Sequence, residues 1–525
     1  MPNIPLKLDL LHATIKDLQQ VLNAGECTSV DLIEAYLAAI ENNNHTGLKL
    51  HAVIETAPKE KLLQIAQELD DQRRAGTILG HLHGIPLLVK DVIGTADELG
   101  MKTTAGSYAL VDSVVKEDAA VVKLLRQNGA IILGKTNMTE WSSFRQEGNM
   151  EEGFESGWRK MKSNGWSARG GTCVSAYNPQ RNPLGSSTGS AVAVSAGFAP
   201  AALGTETLGS LCAPADAAGL FALKPTTGMI SMAGTIPFVS SRDVIGPMAK
   251  CAHDVALLLQ IMAASGSDLT TNRYPDKRGE IEYIKYVENA TFRGKKLGFY
   301  PWEPESFATR AETEYKKKLF AQAAATLCTH GATVIESIEA IPFDASAYFG
   351  MESLVMGTDV KVNLNRYLAA LPNTSVRSLA DVIQYNIDHE DVEMPSDQPG
   401  QLQFLRAEAT NGQENPEYLK AVQKVEQAAD NEGLKALFDT YNLDALICTL
   451  ADSTTVPIVL ASAAKYPIIT LPLGYDETIQ EPVSMYIVGR PWSEGLLLEI
   501  MAAWEVVFPP RRAPPALEMT GAQTF

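Results

Sequence analysis

Asn182–Thr226 reads NPLGSSTGSAVAVSAGFAPAALGTETLGSLCAPADAAGLFALKPT, and this stretch decides the fold. It consists almost wholly of small residues, and no charged side chain occurs between Arg181 and Glu206. Small residues let one backbone segment approach another, and glycine adopts dihedral angles that other residues avoid. The stretch is therefore predicted to be either a tightly packed spine or a segment whose main-chain N–H groups line a pocket.

Two serines in this stretch are candidate functional residues. Ser186 lies in a Gly-Ser-Ser sequence, and Ser210 lies in a Leu-Gly-Ser sequence 24 positions later. The residues between them predict a helix over 187–197 and a short strand over 201–204 that returns the chain. Both hydroxyls are then expected at one end of the same layer.

A lysine follows an apolar segment upstream of the two serines. Ile85–Val89 predicts a buried strand, and Lys90 comes directly after it. Burial disfavours the ammonium form and lowers the pKa of a lysine, so Lys90 is expected to be able to serve as a base. A serine hydroxyl needs a neighbouring base to become a nucleophile, and Ser–Lys arrangements are a variant of the serine triad.

These segments resemble the amidase signature family, and the likeness covers roughly residues 12–510, thinning between about 340 and 430. Within the family, Gly165–Gly171 and Gly204–Thr207 are most similar to the peptide amidase branch. The motifs occur in the family's order: Gly84–Asp91, Thr104–Ser107, Gly134–Met138, Gly185–Ser187, Gly204–Thr207, Gly209–Ser210, Leu223–Thr226, Gly246–Ala249 and Tyr466–Pro472.

The resemblance implies a Ser–Ser–Lys catalytic triad. Carried over by position, Ser210 is the nucleophile, Ser186 is the bridging serine and Lys90 is the base. The resemblance also implies a cis peptide bond before Ser186. Together these residues predict an amide hydrolase that forms an acyl-enzyme, acting on a small or medium amide such as a peptide C-terminal amide. Ester hydrolysis or acyl transfer to an amine would need no further residue.

The oxyanion formed during attack needs preorganised donors, and the main-chain N–H groups of Thr207, Leu208, Gly209 and Ser210 are the candidates. The sequence departs from the family here, because Leu208 stands where glycine or aspartate is usual. A second departure is Cys212, where many members have arginine. Ser142, after Trp141, falls where family members line the substrate pocket, although core packing is an equal alternative.

The alternation of helical and strand patterns predicts an α/β fold, and the resemblance implies a single large domain. We expect a mixed central β-sheet flanked by helices on both faces. The proposed division is an N-terminal helical segment over 1–64 packing on the core, the amidase signature domain over 65–510 and a proline-rich tail over 511–525. The proline-rich stretch Pro509–Pro515 is expected to be extended. The variable region at about 340–435 is expected to form the substrate channel. Residues 145–164 look inserted and are a surface loop or a lid.

The net charge of −18 argues against nucleic acid or an anionic membrane surface as a partner. The six cysteines are scattered, which is typical of reduced thiols in a cytosolic protein. The N-terminus does not resemble a secretory signal, and no apolar run is long enough to span a membrane. We therefore expect a cytoplasmic monomer or homodimer that binds a small-molecule amide and needs neither cofactor nor metal.

Two other motifs are set aside. Gly129–Thr136 fits GxxxxGK[ST], but the residues between its glycines form a strand pattern rather than a phosphate-binding loop. Gly185–Gly189 fits GxSxG, but no strand precedes Ser187 as a nucleophile elbow requires. A non-catalytic amidase-like protein, or an amidotransferase-type subunit, stays open as the alternative function because of Leu208.

Overall fold

Eleven strands form one continuous mixed sheet, in a computed structural model that describes residues 8–147, 160–266, 281–288, 290–302, 308–450 and 455–519. Their spatial order is β1-β3-β2-β6-β8-β7-β12-β13-β11-β9-β10, and a small separate hairpin joins β4 to β5. The strands are β1 Val53–Thr56, β2 Pro86–Lys90, β3 Ile131–Thr136, β4 Trp166–Ser167, β5 Gly171–Thr172, β6 Ala201–Glu206, β7 Phe221–Lys224, β8 Val244–Ala249, β9 Lys296–Phe299, β10 Thr333–Ile335, β11 Ala445–Cys448, β12 Ile468–Asp476 and β13 Glu481–Gly489.

Helices flank this sheet, which confirms the predicted α/β fold with a mixed central sheet. The helices are α1 Ile15–Ala24, α2 Ser29–Asn43, α3 Lys59–Arg74, α4 Ala120–Gln127, α5 Thr188–Ser195, α6 Cys212–Ala217, α7 Ala252–Ala263, α8 Ile284–Glu288, α9 Arg310–Thr329, α10 Ala345–Ala370, α11 Leu379–Asp388, α12 Glu390–Glu393, α13 Leu402–Glu408, α14 Pro416–Glu426, α15 Lys435–Tyr441, α16 Val456–Ala463, α17 Glu494–Val507 and α18 Pro515–Met519. A π-helical segment, Gln427–Leu434, joins α14 to α15.

The two N-terminal helices each begin with a capping box. Thr28 caps α2, and its side chain and that of Asp31 exchange hydrogen bonds with each other's backbone N–H. The same box starts α1 at Thr14. The amide of Ile15 donates to the buried carboxylate of Asp254 at 2.7 Å, which ties α1 to α7.

The structure has a helix across one proposed domain limit and another helix within the proposed tail. The limit between residues 64 and 65 lies inside α3, and the tail contains the short helix α18 after the stretch that is predicted to be extended. Ala513 and Leu517 are buried against the core, and this apolar contact explains why the tail folds back. The division into segments itself stays a prediction.

The strand arrangement brings Lys90 and Ser186 to the same edge of the sheet. Strands β2 and β6 are parallel neighbours, with Leu88 opposite Ala202 and Val89 opposite Leu203. Their carboxyl ends therefore meet, and β2 ends at Lys90. Helix α5 precedes β6 and begins just after the loop that carries Ser186, so the loop lies at that same edge.

Helix α5 needs its glycine to approach the sheet. A Cβ atom at Gly189 would lie 2.3 Å from the carbonyl oxygen of Ala52 and 2.5 Å from the amide nitrogen of Asn137. Every residue of α5 is buried, so the small residues of this helix form the packed spine that their composition predicts.

Candidate active site

Lys90 is fully buried at the end of β2, and its amine is held by three oxygen atoms. The amine donates to Ser186 Oγ at 2.8 Å and to Thr205 Oγ1 at 2.9 Å. A longer contact of 3.4 Å reaches the carbonyl oxygen of Thr205. Lys90 is 0% exposed, which is the dry environment that the preceding apolar strand predicts.

The pKa of Lys90 is lowered from its ordinary value to about 7, chiefly because burial removes the water that would solvate the ammonium. The carboxylates of Asp243 and Glu206 act in the opposite direction and raise the pKa. Burial outweighs them, so a substantial fraction of the amine is neutral near pH 7. A neutral amine hydrogen-bonded to a hydroxyl can accept its proton.

Ser186 lies in the loop that enters α5, and the peptide bond between Gly185 and Ser186 is cis. The Thr139 amide donates to the Ser186 carbonyl oxygen at 3.0 Å. The neighbouring Ser187 amide donates to the Ser210 carbonyl oxygen at 2.9 Å, so the backbone after Ser186 is bonded directly to the backbone of Ser210. Ser186 is therefore brought close to both Lys90 and Ser210.

Ser210 is half-buried and lines the pocket beside Gly209. Within the described part of the chain, no hydrogen bond joins the hydroxyls of Ser186 and Ser210. Hydrogen bonds of catalytic groups are often long without substrate and tighten when it binds. Two of the three groups of the predicted triad are thus hydrogen-bonded to each other, and the third lies at the pocket surface.

The loop over 207–210 is fixed by two buried carboxylates. Glu206 accepts from the amides of Leu211 and Cys212, both at 2.9 Å. Asp243 accepts from the Thr207 hydroxyl at 2.6 Å. Gly209 has a positive φ of 72°, which a glycine adopts without strain.

The main-chain N–H groups of this loop are available to a ligand. The amides of Thr207, Leu208, Gly209 and Ser210 donate to no acceptor among the described residues. A Cβ built on Gly209 would meet no atom within 4 Å, so the space beside this peptide is open. Unpaired N–H groups that face open space are what an oxyanion site requires.

The pocket itself encloses about 1060 Å³, including solvent at its mouth. Most lining side chains are apolar or uncharged, and Arg406 is the one charged group among the described lining residues. Those residues are Ser142, Ser143, Phe144, Gln146, Met161, Asn164, Leu184, Gly185, Thr207, Leu208, Gly209, Ser210, Ala213, Ser353, Met356, Gly357, Gln403, Arg406, Leu450, Thr455 and Ile458.

Ser142 lies in a strained segment of the pocket wall. Trp141, Ser142 and Ser143 all have positive φ angles, of 49°, 54° and 76°. Residues other than glycine adopt this region at an energetic cost and do so mostly where the surrounding structure imposes it. The hydroxyl of Ser142 is buried without a hydrogen-bond partner. Ser142 thus lines the pocket, whereas its neighbour Trp141 packs in the core.

The structure brings all the predicted site residues to one pocket or to its edge. Leu208, which departs from the family pattern, is half-buried and forms part of the lining. Ser187, the nucleophile of the rejected GxSxG interpretation, instead donates to the Thr205 carbonyl oxygen at 2.9 Å. In the other rejected motif, Lys135 is buried in β3 and donates to Thr103 Oγ1 at 3.0 Å.

Sequence reasoning missed three residues that support the site. Thr205 binds the lysine amine, Glu206 fixes the loop, and Asp243 holds the Thr207 side chain. The first two lie in the Gly-Thr-Glu-Thr motif, whose position at the end of β6 could have indicated them. Asp243 had no such signal, because it lies 33 positions from Ser210 in an irregular segment.

The variable region and the inserted segment both contribute to the pocket. Helices α10 and α13, within 340–435, supply Ser353, Met356, Gly357, Gln403 and Arg406. Of the segment over 145–164, residues 148–159 lie outside the described residues, so the lid interpretation stays a prediction. Its described flanks supply Gln146, Met161 and Asn164 to the lining.

Metal-binding groups and membrane spans are both absent from the described part of the chain. It contains no group of three or more His, Cys, Asp and Glu side chains arranged to hold a metal ion. No helix in the same residues has the length and apolar character to cross a membrane.

Known proteins resemble this chain along almost its whole length. The family model described as Amidase matches residues 31–498. The solved peptide amidase of Stenotrophomonas maltophilia is 35% identical, covers 96% of this chain and 98% of its own, and superimposes with a TM-score of 0.84. The Arabidopsis thaliana protein "Probable amidase At4g34880" is 36% identical over 94% of this chain and 90% of its own. A glutamyl-tRNA(Gln) amidotransferase chain of Symbiobacterium thermophilum is 30% identical over 96% of this chain and 99% of its own.

Proposed function

The chain belongs to the amidase signature family and is an amide hydrolase, and we propose that it acts through an acyl-enzyme intermediate formed on Ser210. The observation that carries this proposal is the hydrogen bond of 2.8 Å between the buried Lys90 amine and Ser186 Oγ. An amine whose pKa is lowered to about 7 can take a proton from a hydroxyl near neutral pH.

In the proposed reaction, Ser210 Oγ attacks the amide carbonyl carbon while its proton passes to Ser186. Ser186 in turn gives its own proton to neutral Lys90. The negative charge that develops on the carbonyl oxygen is stabilised by the free amides of the 207–210 loop. Lys90 then returns a proton through Ser186 to the leaving nitrogen, so the nitrogen departs as a neutral amine or ammonia.

Water completes the cycle. The same relay removes a proton from a water molecule, which attacks the ester carbonyl of acylated Ser210. Collapse of the second tetrahedral intermediate releases the carboxylic acid and returns the proton to Ser210. An amine in place of water would give acyl transfer with the same residues.

The substrate is proposed to be a medium-sized amide with an apolar acyl part, such as a peptide C-terminal amide. The mostly uncharged lining of the pocket supports this class. The likeness to a peptide amidase supports the peptide version. The likeness to an amidotransferase chain keeps free glutamine as the second candidate substrate.

The test is ammonia release by the purified chain from a panel of peptide C-terminal amides, simple aliphatic amides and glutamine. We expect turnover of the peptide amides, and its loss in Ser210→Ala. Ser187→Ala is the control, because Ser187 bonds the backbone of β6 and has no role in the relay. Activity on glutamine alone would favour the amidotransferase candidate, and full activity of Ser210→Ala would refute the mechanism.

A further inference from the structure

A buried charged cluster lies behind the pocket wall, outside the proposed triad. Glu140 and Arg145 belong to the segment that follows β3, and Glu393 ends α12 in the variable region. Their side chains are 2%, 3% and 0% exposed. The Arg145 Nε atom lies 2.5 Å from Glu140 Oε2. Two carboxyl groups are therefore buried around one guanidinium.

Each carboxyl group has one oxygen that accepts hydrogen bonds from neighbouring amide or hydroxyl donors. Glu140 Oε1 accepts from the Ala168 amide at 3.0 Å. Glu393 Oε1 accepts from the Ser107 hydroxyl at 3.1 Å and from the Tyr108 amide at 2.8 Å. Oε2 of Glu140 pairs with Arg145, whereas Oε2 of Glu393 is buried without a hydrogen-bond partner among the described residues. The side chains of Glu140 and Glu393 interact with each other, so one proton on the pair gives the remaining oxygen of Glu393 a partner.

The charges around the pair favour that proton. Burial, and then the neighbouring Glu393, raises the pKa of Glu140 well above its ordinary value. Burial also raises the pKa of Glu393. Arg145 is the cation that interacts with both carboxyl groups, and one cation offsets one carboxylate. Tyr385 of α11 also faces Glu393.

The groups farther out add negative charge rather than a second cation. Asp112 and Tyr108 also interact with Tyr385. On the element of Glu393 itself, Glu390 and Asp391 are exposed, and His389 stacks on Tyr385 with ring centroids 4.0 Å apart. A fully ionised pair is therefore not neutralised by its surroundings.

The cluster joins the two segments that form one side of the pocket. Arg145 donates to the carbonyl oxygens of Gln398 at 3.2 Å and Gly400 at 2.6 Å. Next to it along the chain, the Gln146 carbonyl oxygen accepts from the Gln403 amide at 3.3 Å. Gln146 and Gln403 both line the pocket.

An aromatic contact strengthens the same junction. Trp141, next to Glu140, packs edge-on against Phe404 with ring centroids 5.8 Å apart. Phe404 lies on α13 between Gln403 and Arg406, which line the pocket, and Trp141 precedes Ser142, which does the same. A displacement at the cluster therefore moves lining residues on both segments.

We propose that Glu140, Arg145 and Glu393 form a positioning cluster that shares one proton between its carboxyl groups and holds the 140–146 and 398–406 segments together as one wall of the substrate pocket. Loss of the proton leaves two buried carboxylates and a single cation. The repulsion between the two carboxylates then loosens the wall. Substrate binding then weakens while the groups at Lys90 and Ser210 stay in place. This inference rests on the proposed function in one respect, because it takes this pocket to be the amide-binding site.

The test uses the near-isosteric variant Glu393→Gln. A glutamine at 393 can accept from Ser107 and Tyr108 and donate to Glu140, so it keeps the wall closed without a titrating proton. In the native enzyme we expect KM to rise as the pH is raised and the pair loses its proton, with kcat changing little. Glu393→Gln should remove that rise, and Glu393→Ala should increase KM about tenfold at pH 7 with kcat within about twofold. Glu390→Gln, an exposed neighbour on the same helix, is the matched control and should behave as the native enzyme.

A second measurement separates this inference from the catalytic proposal. A carboxyl group whose pKa is higher in the folded state than in the unfolded state stabilises the fold at low pH. This stabilisation is lost as the pH rises from the pKa of the unfolded state through the pKa of the folded state. In the Ser210→Ala background, urea unfolding should therefore show a decline in stability with pH that Glu393→Gln abolishes. The same decline with and without Glu393→Gln, or an unchanged rise in KM with pH in Glu393→Gln, would overturn the proposal. If no amide is hydrolysed by any variant, the catalytic proposal fails and the unfolding measurement alone decides on the cluster.

Discussion

Replacing Lys90 with methionine should abolish hydrolysis and, at pH 7, stabilise the folded protein. The lysine is fully buried and its pKa falls from 10.5 to about 7. An unfolded lysine is protonated at pH 7, so folding must remove a proton or bury a charge. Methionine has a similar unbranched side chain and no such cost.

The size of the effect follows from that shift. A pKa of about 7 in the folded state implies a cost of about 4 kcal/mol at pH 7. The substitution also removes the hydrogen bonds of the amine to Ser186 and Thr205, each worth about 1 kcal/mol. The net gain in the free energy of unfolding is therefore about 2 kcal/mol at pH 7.

The sign of the pH dependence is fixed by the direction of the shift. Between pH 7 and 10.5 the unfolded state binds more protons than the folded state, so the native enzyme gains stability as pH rises through this window. At pH 9 the cost has fallen to about 2 kcal/mol, which the two lost hydrogen bonds offset. The advantage of Lys90→Met should therefore disappear near pH 9.

The assay is urea unfolding of the native enzyme and Lys90→Met at pH 7 and pH 9, with ammonia release measured on the same preparations. Lys250→Met is the matched control, because Lys250 is also buried with a pKa lowered to about 7 but bonds the carbonyl oxygens of Leu10 and Ala13. That variant should keep its activity. A Lys90→Met protein that is less stable than the native enzyme at pH 7, with a difference that does not change at pH 9, would refute the reasoning that burial keeps Lys90 neutral.

Three further predictions concern the same pocket. The kcat/KM of the native enzyme should fall about tenfold per pH unit below pH 7 as Lys90 becomes protonated, and a pH profile without a limb near pH 7 would contradict this. Gly209→Ala and Gly25→Ala should each lower the free energy of unfolding in urea by about 1 kcal/mol, because both glycines have a positive φ and open space around them. Only Gly209→Ala should lose activity. Equal activities of the two variants would argue against an oxyanion role for the loop. Leu208→Ala should widen the pocket and lower KM for bulky acyl groups relative to small ones, and an unchanged ratio across an amide series would place Leu208 outside the acyl path.

Local patterns were sufficient to predict much of this fold. The apolar run before Lys90 indicates a buried strand, and the structure has β2 over Pro86–Lys90. Thr28 and Asp31 indicate the start of α2. The small residues over 187–197 predict a helix, and the structure has α5 over Thr188–Ser195. In each case the signal lies within one element, so no tertiary information was needed.

The supporting interactions of the site depend on contacts between distant segments. Asp243 reaches Thr207 across 36 positions, and Glu393 reaches Ser107 across 286. An isolated acidic residue in a sequence is most often solvated, so neither residue could be distinguished from a surface carboxylate. The tail is a similar case, because the folding of 515–519 depends on the apolar surface that buries Leu517.

The proposed chemistry depends most on the activation of Ser210 by Lys90. The direct measurement is covalent labelling with a fluorophosphonate, followed by peptide mass spectrometry of the native enzyme, Lys90→Met and Ser210→Ala. We predict a single adduct on Ser210 in the native enzyme, a much slower adduct in Lys90→Met and none in Ser210→Ala. An adduct on Ser187 or another residue, or labelling of Ser210 at the native rate in folded Lys90→Met, would contradict this activation.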